Sequence, residues 1–196
     1  MDSTRSRSRN LWVAALALCA GCAAGQPAPN GPVVPISAGN VERAARIHTA
    51  LGPPQAAHRA GGWLSPAAKS AKHLIYVSDF TNNVVQIYPT TGSNPSPIGA
   101  ITDGISGPEG SFIDRHGNLF VTNASNATVT MYPHGSTTWS LQYTGFAYPT
   151  NVTVGHDGMV YVDDLVGQKV VEFPRGKTRS KLTINVTYPQ GVALDA

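Results

Sequence analysis

Thiols are scarce in this chain: of 196 residues only Cys19 and Cys22 are cysteine, and both lie in an amino-terminal segment that reads as a removable leader. The remainder of the chain can form no disulfide, no cysteine-ligated zinc site and no cysteine nucleophile. Charge is sparse too, with 14 basic against 11 acidic residues. Setting aside Arg5, Arg7, Arg9 and Asp2 leaves 11 against 10, a balance of +1, so a pI near 9.0 makes no electrostatic case for nucleic acid. There is no long apolar run, since Leu11 to Ala20 spans about ten residues, too few to cross a bilayer. The sequence also has no Gly-x-Ser-x-Gly elbow, no phosphate loop and no His-Glu-x-x-His pair.

The first 22 residues have the order of an export signal: three arginines, an apolar run, then small residues. Leu18-Cys19-Ala20-Gly21-Cys22 resembles a bacterial lipobox, with Leu18 one place early, so two outcomes stay open: lipidation at Cys22, or simple cleavage nearby. Either one implies export, to the periplasm, the outer surface or a lipid anchor in the cell envelope, with the membrane reached only through that anchor. Residues 23–70 are rich in Ala, Pro and Gly and read as a linker. Val41 to Leu51 offers one short helix within it, stopped by Gly52-Pro53-Pro54.

From residue 71 to 196 the chain repeats itself. Ile75-Tyr76-Val77-Ser78-Asp79 returns as Leu119-Phe120-Val121-Thr122-Asn123 after 44 residues and as Val160-Tyr161-Val162-Asp163-Asp164 after 41 more. Tyr88-Pro89, Tyr132-Pro133 and Phe173-Pro174 keep those spacings. Gly107-Pro108-Glu109-Gly110, Tyr148-Pro149-Thr150-Asn151 and Tyr188-Pro189-Gln190-Gly191 form a third series. A period near 40 residues holds about four short strands with their turns, so the fold class is all-β, built of small repeated sheets. The second repeat predicts strands over 110–114, 118–123, 128–132 and 139–143. Val84-Val85 and Ile87-Tyr88 put bulky groups on both faces, as in a sheet held between two neighbours rather than one with a wetted face.

Asp79-Phe80-Thr81-Asn82-Asn83-Val84-Val85, following Ile75-Tyr76-Val77, resembles the NHL type of β-propeller repeat, in which an acidic residue is followed three places on by asparagine and then a strand. The second repeat has Asn123 and Asn126, while the third has Asp164 but Gly167. The pattern is also similar to the wider set of propellers that includes lactonases and streptogramin lyase. About three four-stranded blades are present, whereas propellers close with roughly four to eight. The expectation is a partial propeller or fragment, with a homodimer of three-blade protomers closing as six blades the rival. An exposed apolar patch is expected in either case, with Val85, Ile87, Val170 and Phe173 among its side chains.

The resemblance implies a channel-facing column, Glu109, Thr150 and Gln190, with one residue from each inner strand. In lactonase-like relatives such a column supplies oxygen ligands to calcium. Here Glu109 is its only anion, a weak metal site, so no cofactor is expected and calcium is the alternative. Asp79, Asn123 and Asp164 recur at one position and read as turn caps rather than ligands. His116 or His156 would be the acid or base of a lyase-like enzyme, but both sit in turns. The composition and motifs together predict an exported binding or scaffold module without a catalytic set, its ligand a protein, peptide or glycan. The alternative is a metal-dependent lactonase or lyase.

Overall fold

The structure is a computed structural model that describes residues 61–195. The leader with Cys22, the linker up to residue 60 and the helix expected over 41–51 lie outside the described residues. Among the described residues, twelve strands and one short α-helix form three four-stranded antiparallel sheets and their connections. The first sheet contains β1 (Trp63–Leu64), β2 (Leu74–Asp79), β3 (Val84–Pro89) and β4 (Gly99–Ile101). The second runs in chain order through β5 (Pro108–Ile113), β6 (Leu119–Asn123), β7 (Thr128–Tyr132) and β8 (Leu141–Tyr143). The third repeats that order with β9 (Pro149–Val154), β10 (Val160–Asp164), β11 (Lys169–Phe173) and β12 (Leu182–Asn185).

The repeats reach down to the backbone. Each turn after β2, β6 and β10 has a residue in the left-handed region at the same repeat position, Asn83, Ala127 and Gln168, with φ of 56°, 56° and 52°. The hairpins after β5 and β9 close on glycine, Gly117 at φ 80° and Gly158 at φ 85°, where a side chain would strain the turn. Pro89, Pro133 and Pro174 stand at or just after the end of the third strand of each repeat, where a missing N–H breaks no ladder.

The first sheet departs from the expected pattern. β2, β3 and β4 take the second, third and fourth places of the repeat, but its remaining strand is β1, which pairs with the outer strand β4 (Trp63 opposite Ala100, Leu64 opposite Gly99). Residues 63–70, within the segment read as linker, thus carry a strand and a helix. Before β2, where the repeat has an inner strand, the chain instead forms the helix α1 (Pro66–Ser70), which packs on β1 and β3, because Ser65-Pro66-Ala67-Ala68 is a helix start: Ser65 Oγ accepts from Ala68 N at 3.1 Å and proline opens the first turn. The inner edge of β2 therefore has no neighbour among the described strands.

Two cores hold the stack. Val85, Ile87, Ile101 and Ile105 meet Leu119, Val121 and Tyr132 between the first and second sheets. Phe120, Val129 and Tyr143 meet Val152, Val160, Val162, Val171 and Phe173 between the second and third. The middle sheet is covered on both faces, and all five residues of β6 are buried. Val85, Ile87, Val170 and Phe173, expected in an exposed patch, are buried. The exposed apolar groups on the terminal sheets include Ile75 and Val77 on β2 and Leu182 and Ile184 on β12. With Val84 and Val85 on opposite faces of β3, periodicity alone does not say which face is covered.

Candidate functional site

β5 packs against β2 on one side and β9 on the other, so these strands gather along one edge of the stack. Gly110 lets them approach, since a Cβ there would lie 2.5 Å from Thr150 O. Glu109 and Thr150 stand at the start of these strands, and Gln190 lies exposed in the irregular segment after β12. Glu109 and Thr150 are engaged separately. Glu109 Oε1 accepts from the phenol of Tyr148 at 2.7 Å. Burial, then this hydrogen bond and the carboxylate's charge, hold the Tyr148 hydroxyl far above the usual phenol range. Thr150 Oγ1 donates to Asp163 Oδ2 at 3.2 Å. Asp163 is fully buried with no partner at Oδ1. Its carboxyl is raised chiefly by desolvation, against hydrogen bonds from its own N–H, Thr150 and Asn151 N–H.

The recurring Asp/Asn position is divided between two tasks. Asp79 caps its turn: Oδ1 accepts from Asn82 N at 3.0 Å and Oδ2 from Asn82 Nδ2 at 2.7 Å. Asp164 caps Gly167 N at 3.1 Å but also accepts from Ala147 N and Tyr148 N, at 2.8 and 2.7 Å, in the loop entering its own sheet. Asn123, expected to cap a turn, does not. Its Oδ1 accepts from Ser106 N at 3.1 Å in the equivalent entry loop, and its Nδ2 donates to Thr130 Oγ1 at 3.0 Å. The neighbours explain which side chain stands where. An amide suits Thr130, which can accept; a carboxylate suits Gln86 Nε2, 3.2 Å from Asp79, and Lys169 Nζ, 3.7 Å from Asp164. These groups are committed to the fold.

The histidines occupy the other end of the strands. His116 and His156 lie in the turns after β5 and β9, four or more residues beyond Glu109 and Thr150, which at about 3.4 Å per residue is well over 10 Å away. His116 Nε2 accepts from Arg115 Nε at 3.2 Å, with the guanidinium of Arg175 at 3.4 Å. Among the described residues no group of three or more His, Cys, Asp or Glu side chains is placed to hold a metal ion. Calcium asks for six to eight converging oxygens. The column offers one carboxylate already bound by a phenol and a threonine turned toward Asp163, so these residues do not fit it as they stand. Sequence reasoning missed the Glu109–Tyr148 pair and the link from Asn83 Oδ1 to Gly107 N at 2.7 Å, although Tyr148 and Asn83 both lie inside the repeated motifs.

No protein-family model and no curated protein sequence matches the chain. Solved structures do. Hydrazine synthase of Kuenenia stuttgartiensis matches with 16% identity and a TM-score of 0.53 over 71% of this chain and 38% of its own. A putative 6-phosphogluconolactonase of Bacteroides fragilis matches with 16% identity and a TM-score of 0.53 over 66% and 39%. Virginiamycin B lyase of Staphylococcus aureus, in a catalytically inactive form with quinupristin, matches at 10% identity and 0.47 over 66% and 41%. The chain thus spans about two-fifths of the length of these structures. Its fold is a β-propeller, present in part.

Proposed function

We propose that this chain is an exported, NHL-like propeller module that binds a protein, peptide or glycan through its loops and channel mouth and performs no chemistry of its own. The observation that carries this reading is the separation along the inner strands. The single acidic member of the column stands at one end of β5, tied to Tyr148, while the turn histidines stand at the other. General acid–base catalysis needs the reacting groups within hydrogen-bond reach of one substrate, directly or through one water. The recurring acids support the reading as well, since half-buried Asp79 and buried Asp164 spend their oxygens on backbone and neighbouring side chains.

Calorimetric titration of calcium into the wild type and into Glu109→Gln tests it. The expected result is no stoichiometric binding by either form and nearly unchanged stability in the variant. Tight one-to-one binding by the wild type that disappears in Glu109→Gln would overturn the reading in favour of a metal-dependent lactonase or lyase.

A further inference from the structure

The second and third sheets bury one polar side chain at the same repeat position. Thr122 Oγ1 accepts from Gly110 N at 2.8 Å and donates to Gly110 O at 3.1 Å, tying β6 to the inner strand β5. In the third sheet Asp163 stands in that place, opposite Asn151, the equivalent of Gly110, and accepts from Thr150 Oγ1 at 3.2 Å. In the first sheet the place belongs to Ser78. Its Oγ is buried without a partner, on the strand whose inner edge is open. Beside it, Ile75 and Val77 are 47% and 42% exposed, whereas their equivalents Leu119 and Val121, and Val160 and Val162, are at most 3% exposed.

The chain also carries the missing strand. Tyr188-Pro189-Gln190-Gly191-Val192 continues the series that opens β5 and β9, yet it pairs with no strand among the described residues. Thr153 Oγ1 donates to Val192 O at 2.7 Å, which sets this segment against β9. β9 packs on β5 and β5 on β2, so the segment lies on the far side of the stack from its own β2. At Gly191 the nearest atom to a built Cβ is 3.7 Å away, against 2.5 Å at Gly110, so the segment's inner face is open.

We propose that residues 188–194 of one copy of this chain add to β2 of a second copy as its inner strand, and that the reciprocal addition closes a two-fold dimer of six sheets. The β9–β10 register carries over directly: Pro149 opposite Asp164, Asn151 opposite Asp163, Val152 opposite Val162 and Val154 opposite Val160. It sets Pro189 opposite Asp79, Gly191 opposite Ser78, Val192 opposite Val77 and Leu194 opposite Ile75. Gly191 N–H then reaches Ser78 Oγ as Gly110 N–H reaches Thr122. The N–H groups of Thr187 and Tyr188 approach Asp79 as those of Ala147 and Tyr148 approach Asp164. Strand addition supplies the ladder, and the sheets it brings together cover Ile75 and Val77 of one copy with Leu182 and Ile184 of the other. Counting the three sheets of the described residues, two copies give six, inside the roughly four to eight with which radial sheet arrays close, while three copies give nine.

Sedimentation of the full chain at about ten micromolar reads the assembly, and a cross-link reads the register. Twice the protomer mass is expected, falling to a folded monomer in Gly191→Pro, which removes the N–H offered to Ser78 without touching any paired strand. With Cys19 and Cys22 replaced by serine, a mixture of Val77→Cys copies and Val192→Cys copies should form an intermolecular disulfide on mild oxidation. A mixture of Val77→Cys and Ala193→Cys copies, whose side chains point to opposite faces, should not. A folded wild-type monomer, an assembly other than a dimer, or a dimer that fails to cross-link between positions 77 and 192 would overturn the proposal.

Discussion

Replacing Asp164 tests how the entry loop of the third sheet is held. Its carboxylate is fully buried and accepts from Ala147 N at 2.8 Å, Tyr148 N at 2.7 Å and Gly167 N at 3.1 Å, with Lys169 Nζ at 3.7 Å. Hydrogen bonds to a charged group are each worth about 1.5–3 kcal/mol, and truncation also strands the donors. Taking the two short bonds as the main loss, Asp164→Ala should cost about 3–6 kcal/mol, a large share of the roughly 5–15 kcal/mol of a typical domain. Asp164→Asn is the sharper variant, because asparagine stands in this place in the second sheet. There Asn123 Nδ2 finds Thr130 Oγ1 at 3.0 Å; here the equivalent residue is Val171, which accepts nothing, and Nδ2 would meet either the Ala147 N–H or Lys169. Asp164→Asn should therefore lose about half as much as alanine rather than nothing. Urea unfolding at one fixed protein concentration measures both, which also holds any assembly term constant. A loss below about 1 kcal/mol for Asp164→Ala would refute the reasoning, and an asparagine variant as stable as wild type would refute its second half.

Two further outcomes are expected. Asp163 has its native pKa raised by burial, so the folded state holds the proton more tightly than the unfolded chain, and stability falls as pH rises from about 4 through the raised value and then levels off. Asp163→Asn should raise Tm at pH 7, with the gain shrinking toward pH 3.5, and thermal scans showing a lower Tm for the variant at pH 7 would contradict this. For the leader, intact-mass analysis of protein from an envelope fraction should show processing between Ala20 and Gly25, with a diacylglycerol mass on Cys22 deciding for the lipoprotein; a soluble cytosolic form retaining Met1 would remove the export argument.

Much of the fold was legible because its signals are local and recur. The spacings of 44 and 41 residues place β6 and β10, and the Gly117 and Gly158 turns follow from chemistry inside four or five residues. The illegible features depend on distant partners. A two-residue strand such as Trp63–Leu64 has no periodicity to detect, and its place is set by β4, far along the chain. Asn123 looks like Asp79 in sequence, yet Thr130, seven residues later, turns its amide away from the turn. The pairing of Glu109 with Tyr148 joins residues of two sheets and leaves no trace in either motif alone. For the same reason the column Glu109, Thr150 and Gln190 could be picked out from the repeat, but not the partners that occupy its members.

The complete burial of β6 bears on how the protein loses its structure. Each sheet meets only its neighbours in the stack, so the array behaves as a short one-dimensional chain of units whose stability is shared out through interfaces. Within one copy the middle unit owns both interfaces and each terminal unit one, which makes local opening of that copy easiest at the outer sheets and hardest at Leu119–Asn123. Fraying from either end thus leaves a two-sheet remnant with an intact core, whereas loss of the middle sheet dissolves both cores together.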